Sequence, residues 1–495
     1  MNNYNHSRTL DVHVWSEHPE INVLVNEVWS RFWKEETEVK PKRGPKPKAP
    51  KKKHLKVLLL DLYVCWQSDP SMYLAVHMSK SGWKANSRYN ALSLSSQMIV
   101  IITRLTDLGF LEFKKGFEGK LSRIRPTEKL ELLFKLTKLK HDDISQHHDK
   151  ELLVLKAGDN MEGFDKGEKL EYPDTPETLA MREILKRYNA LLRRSHIDIC
   201  SLEKPFVEKI STKGKKAGEL VRIHIDNRNV FVKRVFNNNS WEHGGRFYGG
   251  WWQFIERDLR NDIMINGKPT VEVDYKTMHI ALLFSEIGYH HEYDTYTLDA
   301  SVFPQWNDFD QRQAIKELVL MAINASSKSK AFRAFRADQL EGHPFKRLTD
   351  EQLTKLLNAF TEKYPELEPY LCSGKGLELM YRDSCIAEYV IEYFTRRDVP
   401  ILCMHDSFIV PFDQVLELRA IMTEAGAKFA KRFMFIDQKG YGLDEWFAEY
   451  ENTHIEPDWK PNKPSLCEAY LQRIGAFKGR DHGEGIMSKP KRSQV

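Results

Sequence analysis

Residues 400–412, PILCMHDSFIVPF, place two short apolar runs on either side of Met404-His405-Asp406-Ser407. Runs of this length are too short for a helix with an apolar face. They read as the two arms of a β-hairpin that carries Asp406 at its turn. A second segment, TVEVDYKTMHIALLF at 270–284, begins with Val271 and Val273 alternating with polar residues, as a strand does. It then passes into an apolar helical run, so Asp274 falls at the end of a strand, beside a cleft.

Between these segments lies FDQRQAIKELVLMAINA, in which Arg312 and Lys316 are four residues apart. On a helix both project from one face, and Leu320 and Asn324 continue the stripe. Each part has a chemistry. Two carboxylates brought together in space can hold a pair of Mg²⁺ ions for an in-line displacement at phosphorus. Two cations on one helical face suit the β- and γ-phosphates of a nucleoside triphosphate, the Arg as a bidentate fork and the Lys as a movable point charge.

In this order and spacing the three segments resemble motifs A, B and C of the family A DNA polymerases and the related single-subunit phage-type RNA polymerases. The resemblance implies an α+β right-hand fold: a palm with an antiparallel sheet, reduced helical fingers and a helical thumb-like region. It assigns metal binding to Asp274 and Asp406, and catalysis to these two with Lys316. Arg312, Lys316, Tyr275, His279, Leu320 and Asn324 would line the nucleotide site. Upstream, HGGRFYGG is similar to the family's Gly-Arg segment, which gives Arg246, together with His405, to the primer–template. DTYT at 294–297 sits where the family has an acid and an aromatic ahead of the fingers helix.

The chain departs from the family at four points. His279 replaces the Glu that screens the ribose 2′-hydroxyl, Leu320 replaces an aromatic, Asn324 replaces a Tyr, and motif C reads His-Asp-Ser. The bulk of His279 favours deoxynucleotides. Asp274 and Asp406 are 132 residues apart, which implies short fingers.

The chain has 495 residues and a net charge of +5. Residues 40–56, KPKRGPKPKAPKKKHLK, hold nine Lys/Arg and no acid, so without them the +5 becomes −4. Pro and Lys at this density predict an extended arm that follows phosphates by counterion release, with a core that loosely resembles an AT-hook. After it, HLKVLLLDLYVCW reads as an apolar helix. A further helix is capped near Ser95 or Ser96 and stopped by Gly109, with Val100, Ile101, Leu105 and Leu108 on its apolar face. FLEFKKG and LSRIRPT then read as strands around a Gly-containing turn. This succession resembles the winged-helix domains of small transcription regulators, and it implies DNA contacts from Lys114, Lys115, Lys120, Arg123 and Arg125 on the wing.

The divisions expected are an N-terminal segment with the basic linker (1–54) and a winged-helix-like domain (55–139). A linker and thumb-like region (140–240), palm and fingers (241–450) and a tail (451–495) follow. Within them, 140–170 reads as linker and 175–194 as a helix whose Thr175 start suits a capping box.

Six cysteines without a CxxC pair argue against a disulfide framework and a structural zinc site. No apolar run reaches the roughly 18 residues of a membrane span. The N-terminus has no apolar leader, and GxxxxGK[ST] is absent. Trp251 and Trp252 are assigned to the core, His290, His291, Glu292 and Asp294 to a solvated loop.

The expectation is therefore a cytoplasmic, template-directed DNA polymerase of phage, plasmid or mobile-element type that lacks a proofreading domain. It would use two Mg²⁺ ions, with Mn²⁺ as a substitute. Its partners would be DNA, as primer–template or single strand, and nucleoside triphosphates. The alternatives are an RNA polymerase or primase, a terminal transferase on the same palm, and a non-catalytic winged-helix regulator or replication adaptor.

Overall fold

The computed structural model describes residues 6–34, 51–439 and 465–479, apart from 118, 140–142, 159–160, 163–164, 212–217, 219, 227–228 and 290–293. Most of the basic arm (40–50), the tail SKPKRSQV and residues 290–293 lie outside the described residues. The chain is a mixed α+β protein with several sheets and many helices, and it divides into two compact units, 1–152 and 153–495. Among the described residues no helix is long and apolar enough to cross a membrane.

The first unit contains β1 (Ser7–Thr9), β2 (Val14–Trp15), α1 (Pro19–Lys34), α2 (Lys52–Ser68) and β3 (Tyr73–Val76). These are followed by α3 (Gln97–Asp107), β4 (Leu111–Lys114), β5 (Ser122–Pro126), α4 (Glu128–Leu136) and β6 (Ser145–Gln146). α2 is apolar all round and is accordingly buried from Leu55 to Cys65. Its one acid, Asp61, is buried and receives both terminal nitrogens of Arg8, at 3.0 and 2.6 Å. The sheet runs β1-β3-β5-β4, with β1 parallel to β3 and the rest antiparallel. α3 ends as expected at Gly109, whose φ of +72° favours glycine. Its buried face differs from the expected one. Met98, Ile101, Ile102 and Leu105 face the core, while Val100 is 46% exposed.

The second unit opens with β7 (Leu153–Leu155), a fully buried strand inside the segment expected to be linker. The polar residues around it mask three consecutive apolar ones. α5 (Pro176–Arg194) follows, with a capping box between Thr175 and Thr178. Next come β8 (Ile197–Ile199), β9 (Phe206–Ile210), β10 (Leu220–His224), β11 (Lys233–Phe236) and β12 (Gly244–Tyr248). The remainder begins α6 (Arg257–Arg260), β13 (Ile263–Ile265), β14 (Lys268–Tyr275) and α7 (Met278–Ile287). It continues α8 (Asp308–Asn324), α9 (Lys328–Asp338), α10 (Asp350–Lys363) and α11 (Gly376–Arg396). β15 (Leu402–Met404), β16 (Ser407–Pro411), α12 (Val415–Ala430), β17 (Ile436–Lys439) and a helix at Glu468–Lys478 complete it.

The main sheet of this unit runs β15-β16-β14-β13-β8, and β17 also pairs with β14; every ladder is antiparallel. β14 is covered on both faces, so Glu272 is buried along with Val271 and Val273. Its carboxylate is satisfied by Arg260, at 3.0 and 3.1 Å, and by the Ser407 hydroxyl. α7 buries Ile280, Leu282, Leu283 and Phe284 completely, each worth about 1.5–3 kcal/mol, and so fixes the end of β14. Trp251 and Trp252 are core residues, and the Trp252 indole donates to the Cys403 carbonyl at 3.0 Å.

Candidate functional site

Asp274 and Asp406 are brought together by strand register. In the antiparallel pair of β14 and β16 Asp274 faces Ser407, and the Tyr275 N–H donates to the Asp406 carbonyl at 3.1 Å. Both acids lie next to tight turns. Thr277, between β14 and α7, has φ +47°, and His405, at the hairpin turn, has φ +67°. A β-branched residue in that region is strained.

A cleft of about 490 Å³ opens at this strand end. Ten of the expected site residues line it: Arg246, Asp274, Tyr275, His279, Arg312, Lys316, Leu320, Asn324, His405 and Asp406; Tyr296 does too, as does Asp294, which belongs to the cleft wall rather than to a solvated loop. The α8 stripe is real as geometry, since four positions at helical spacing face the same space. Lys316 has no ion pair among the described residues. Arg312 donates through Nε to Asp294 at 2.6 Å. Tyr275 lines the cleft, but its hydroxyl turns inward to the Met422 carbonyl.

The electrostatics follow from burial. The Asp406 carboxyl is pushed up by burial, an effect that Arg246 opposes and Asp383 reinforces. Burial, with Arg246 nearby, takes the His405 imidazole down to about 4, so it is neutral at physiological pH. Burial pushes the Cys403 thiol up to about 12, leaving it protonated. The oxygen donors that line the cleft include the carboxyls of Asp274, Asp406 and Asp437, hard ligands of the kind that Mg²⁺ takes.

Two acids escaped the sequence reading. Asp437 on β17 stands directly opposite Asp274, lines the cleft and pairs with Lys276. Asp383 on α11 has no exposed side-chain surface and takes the Arg246 guanidinium in a fork through Nε and Nη2. His279 Nε2 lies 3.1 Å from Asp383 and 2.9 Å from Arg246 Nη2, so the ring is held in place. Arg246 reaches α11 because β12 begins with glycines. Gly245 has φ +76°, and a Cβ there would sit 2.7 Å from the Ser384 hydroxyl. A signal for Asp383 did exist: it stands on the buried stripe of α11, four residues from Leu379 and from Ala387.

The five wing residues lie in the first unit. Lys114 and Arg125 both pair with Glu112 and both lie over the Tyr73 ring. Lys120 lies over Phe117. Arg123 is buried and donates to the Leu121 carbonyl at 2.6 Å. Lys115 is exposed. Also in this unit, ligand atoms of His147, His148 and Asp149 lie within 4.8 Å of one another. His147 Nδ1 already accepts the Asp149 N–H, so this turn satisfies itself. All six cysteines are free.

No family model matches the chain, and no curated protein matches it. Among solved structures, the chain is similar to the POL domain of Pol1 from M. smegmatis, in complex with DNA primer-template and dNTP, at 11% identity and a TM-score of 0.29. The match covers 44% of this chain and 48% of that one, about half the length of the solved domain. A likeness that slight does not decide the fold.

Proposed function

We propose that the chain is a nucleotidyltransferase, and specifically a template-directed DNA polymerase without a proofreading domain. One observation carries the reading: the paired acids and the cationic stripe of α8, picked out by motif order, face one cleft. Its volume, about 490 Å³, is within the common range for small-ligand sites. The reaction joins a primer 3′-hydroxyl oxygen to the α-phosphorus of a nucleoside triphosphate and releases pyrophosphate.

Asp274 and Asp406 would hold the Mg²⁺ ions, or Mn²⁺ in their place, which when bound polarise the transferring phosphoryl group and neutralise its charge. The other roles belong to the chain. Arg312 and Lys316 bind the phosphates. Arg246, oriented by Asp383, and the neutral His405 contact the primer–template. His279, locked against Asp383, walls off the sugar 2′-position. The first unit, which includes the basic arm and the segment read as a winged helix, holds DNA.

Primer extension on a primed template with Mg²⁺, run with dNTPs and with rNTPs, tests the reading. Extension that disappears in Asp274→Ala and in Asp406→Ala supports it. Extension that persists in both variants removes the site assignment. His279→Ala is expected to admit ribonucleotides more readily; an unchanged sugar preference would separate the ring from selectivity.

A further inference from the structure

Arg312 is held from one side only. Its Nε donates to Asp294 Oδ2 at 2.6 Å, while its terminal nitrogens make no hydrogen bond to the described residues. The acid is itself fixed. Oδ1 accepts the Tyr296 N–H at 3.1 Å, and Oδ2 also accepts the Thr297 hydroxyl at 2.8 Å. Tyr296, the first of those two donors, is 2% exposed and anchors the loop in the core. The pair remains open on the cleft side, with about a third of each side chain exposed (36% for Arg312, 30% for Asp294).

This arrangement solves a particular problem. A guanidinium on a long flexible stem loses rotamer entropy when it is fixed against a ligand. A carboxylate that engages Nε removes part of that loss beforehand and leaves the Nη1–Nη2 edge for a second anion. Lys316, one turn along α8, lies on the same face.

We propose that Asp294 is a positioning residue that holds Arg312 through Nε and presents its outer edge to a phosphate of the incoming nucleoside triphosphate. The proposal rests on the reading of this cleft as a nucleotide site. It differs in sign from a competing arrangement, in which Asp294 occupies the place of a phosphate and must be displaced.

Titration calorimetry of dATP with Mg²⁺ on the full chain and its variants separates these cases. Asp294→Ala is expected to weaken dATP binding about tenfold, as loss of an outer supporting partner typically does. Asp294→Asn keeps one acceptor oxygen where the carboxylate offers two, so it cannot hold both the Tyr296 N–H and Arg312 Nε, and it is expected to show a loss smaller than that of Asp294→Ala. Arg312→Ala should weaken binding at least as much as Asp294→Ala, and the double variant no more than Arg312→Ala. In primer extension, Asp294→Ala should raise KM for dATP more than it lowers kcat.

Unchanged or tighter binding in Asp294→Ala overturns the proposal, as does a double variant whose losses simply add. Should Arg312→Ala leave dATP binding untouched, the nucleotide-site reading falls and the proposal with it. A loss in Arg312→Ala with none in Asp294→Ala sinks the proposal alone. If Asp294→Ala does not fold, Asp294→Asn carries the test through the KM and kcat split: a KM equal to that of Arg312→Ala, or no change at all, is the overturning result.

Discussion

Two hairpins carry the charges that drew attention in the sequence, and they manage those charges in opposite ways. On β4–β5 the cations are settled locally: Glu112 takes Lys114 and Arg125, and Arg123 turns to a carbonyl two residues away. On β15–β16 the acid is settled from afar: the cation that opposes the burial of Asp406 is Arg246, on a strand 160 residues earlier. A self-paired hairpin spends its charge on its own stability and presents little to a partner. A buried acid whose counter-charge comes from another element needs the whole unit to be folded before its charge is tolerable. The β15–β16 hairpin is therefore the better candidate for chemistry and β4–β5 for modest phosphate contact.

The widest separation between the hairpins is expected in Asp406→Ala, which should cut nucleotide incorporation by at least about 10³-fold in primer extension. Replacing Lys114 and Lys115 together should lower it only a few-fold. An equal loss in both would erase the distinction. Next in size is Arg246→Ala, which leaves the buried Asp383 without its guanidinium partner. Urea unfolding of the full chain should show the 153–495 unit weakened by about 3–5 kcal/mol. Asp383→Asn in that background should restore part of the loss.

The first unit has a smaller, pH-dependent sensitivity of its own. His54 Nε2 accepts the Ser95 N–H at 3.0 Å ahead of α3, and burial, aided by Lys53, takes the imidazole down to about 4. A depressed value means the folded state prefers the neutral ring. The stabilisation is fully present above about pH 6.5 and is lost as pH falls from there towards 4. The expected loss is about 1–2 kcal/mol after allowance for solvent screening, read as a falling Tm that His54→Gln flattens. Smallest is Glu112→Gln, which releases Lys114 and Arg125. Anisotropy with duplex DNA should show binding tighter by roughly twofold to fivefold at low salt, with a steeper salt dependence.

Much of the local architecture was readable because it depends on neighbours in sequence. The alternation of 270–274, the hairpin at 402–411 and the i, i+4 spacing of Arg312 and Lys316 each report a single element. The cation stripe followed from periodicity alone. What could not be read was pairing at a distance. Asp437 belongs to a four-residue strand with little hydrophobic pattern, and only its register with β14 sets it opposite Asp274. Asp383 betrays its burial by its place on the apolar stripe of α11, but not its partner, Arg246, which is 137 residues away in sequence. The wing arginines looked available because sequence gives no hint that Arg125 will pair with Glu112 or that Arg123 will be buried against a backbone carbonyl. Val100 was misplaced for a related reason: an apolar residue at the edge of a helical stripe can face either way.

The pairing of β17 with β14 has a further consequence, for the order of events during synthesis. Asp274 and Asp406 leave the ribosome long before Ile436–Lys439, so the acidic edge stands incomplete while α12 is still being made. Through that interval β14 presents an unpaired edge carrying ionisable side chains, where β17 will later lie. At roughly 5–20 residues per second, the last strand arrives seconds after the hairpin. Until β17 arrives the cleft lacks Asp437, one of the acids that line it.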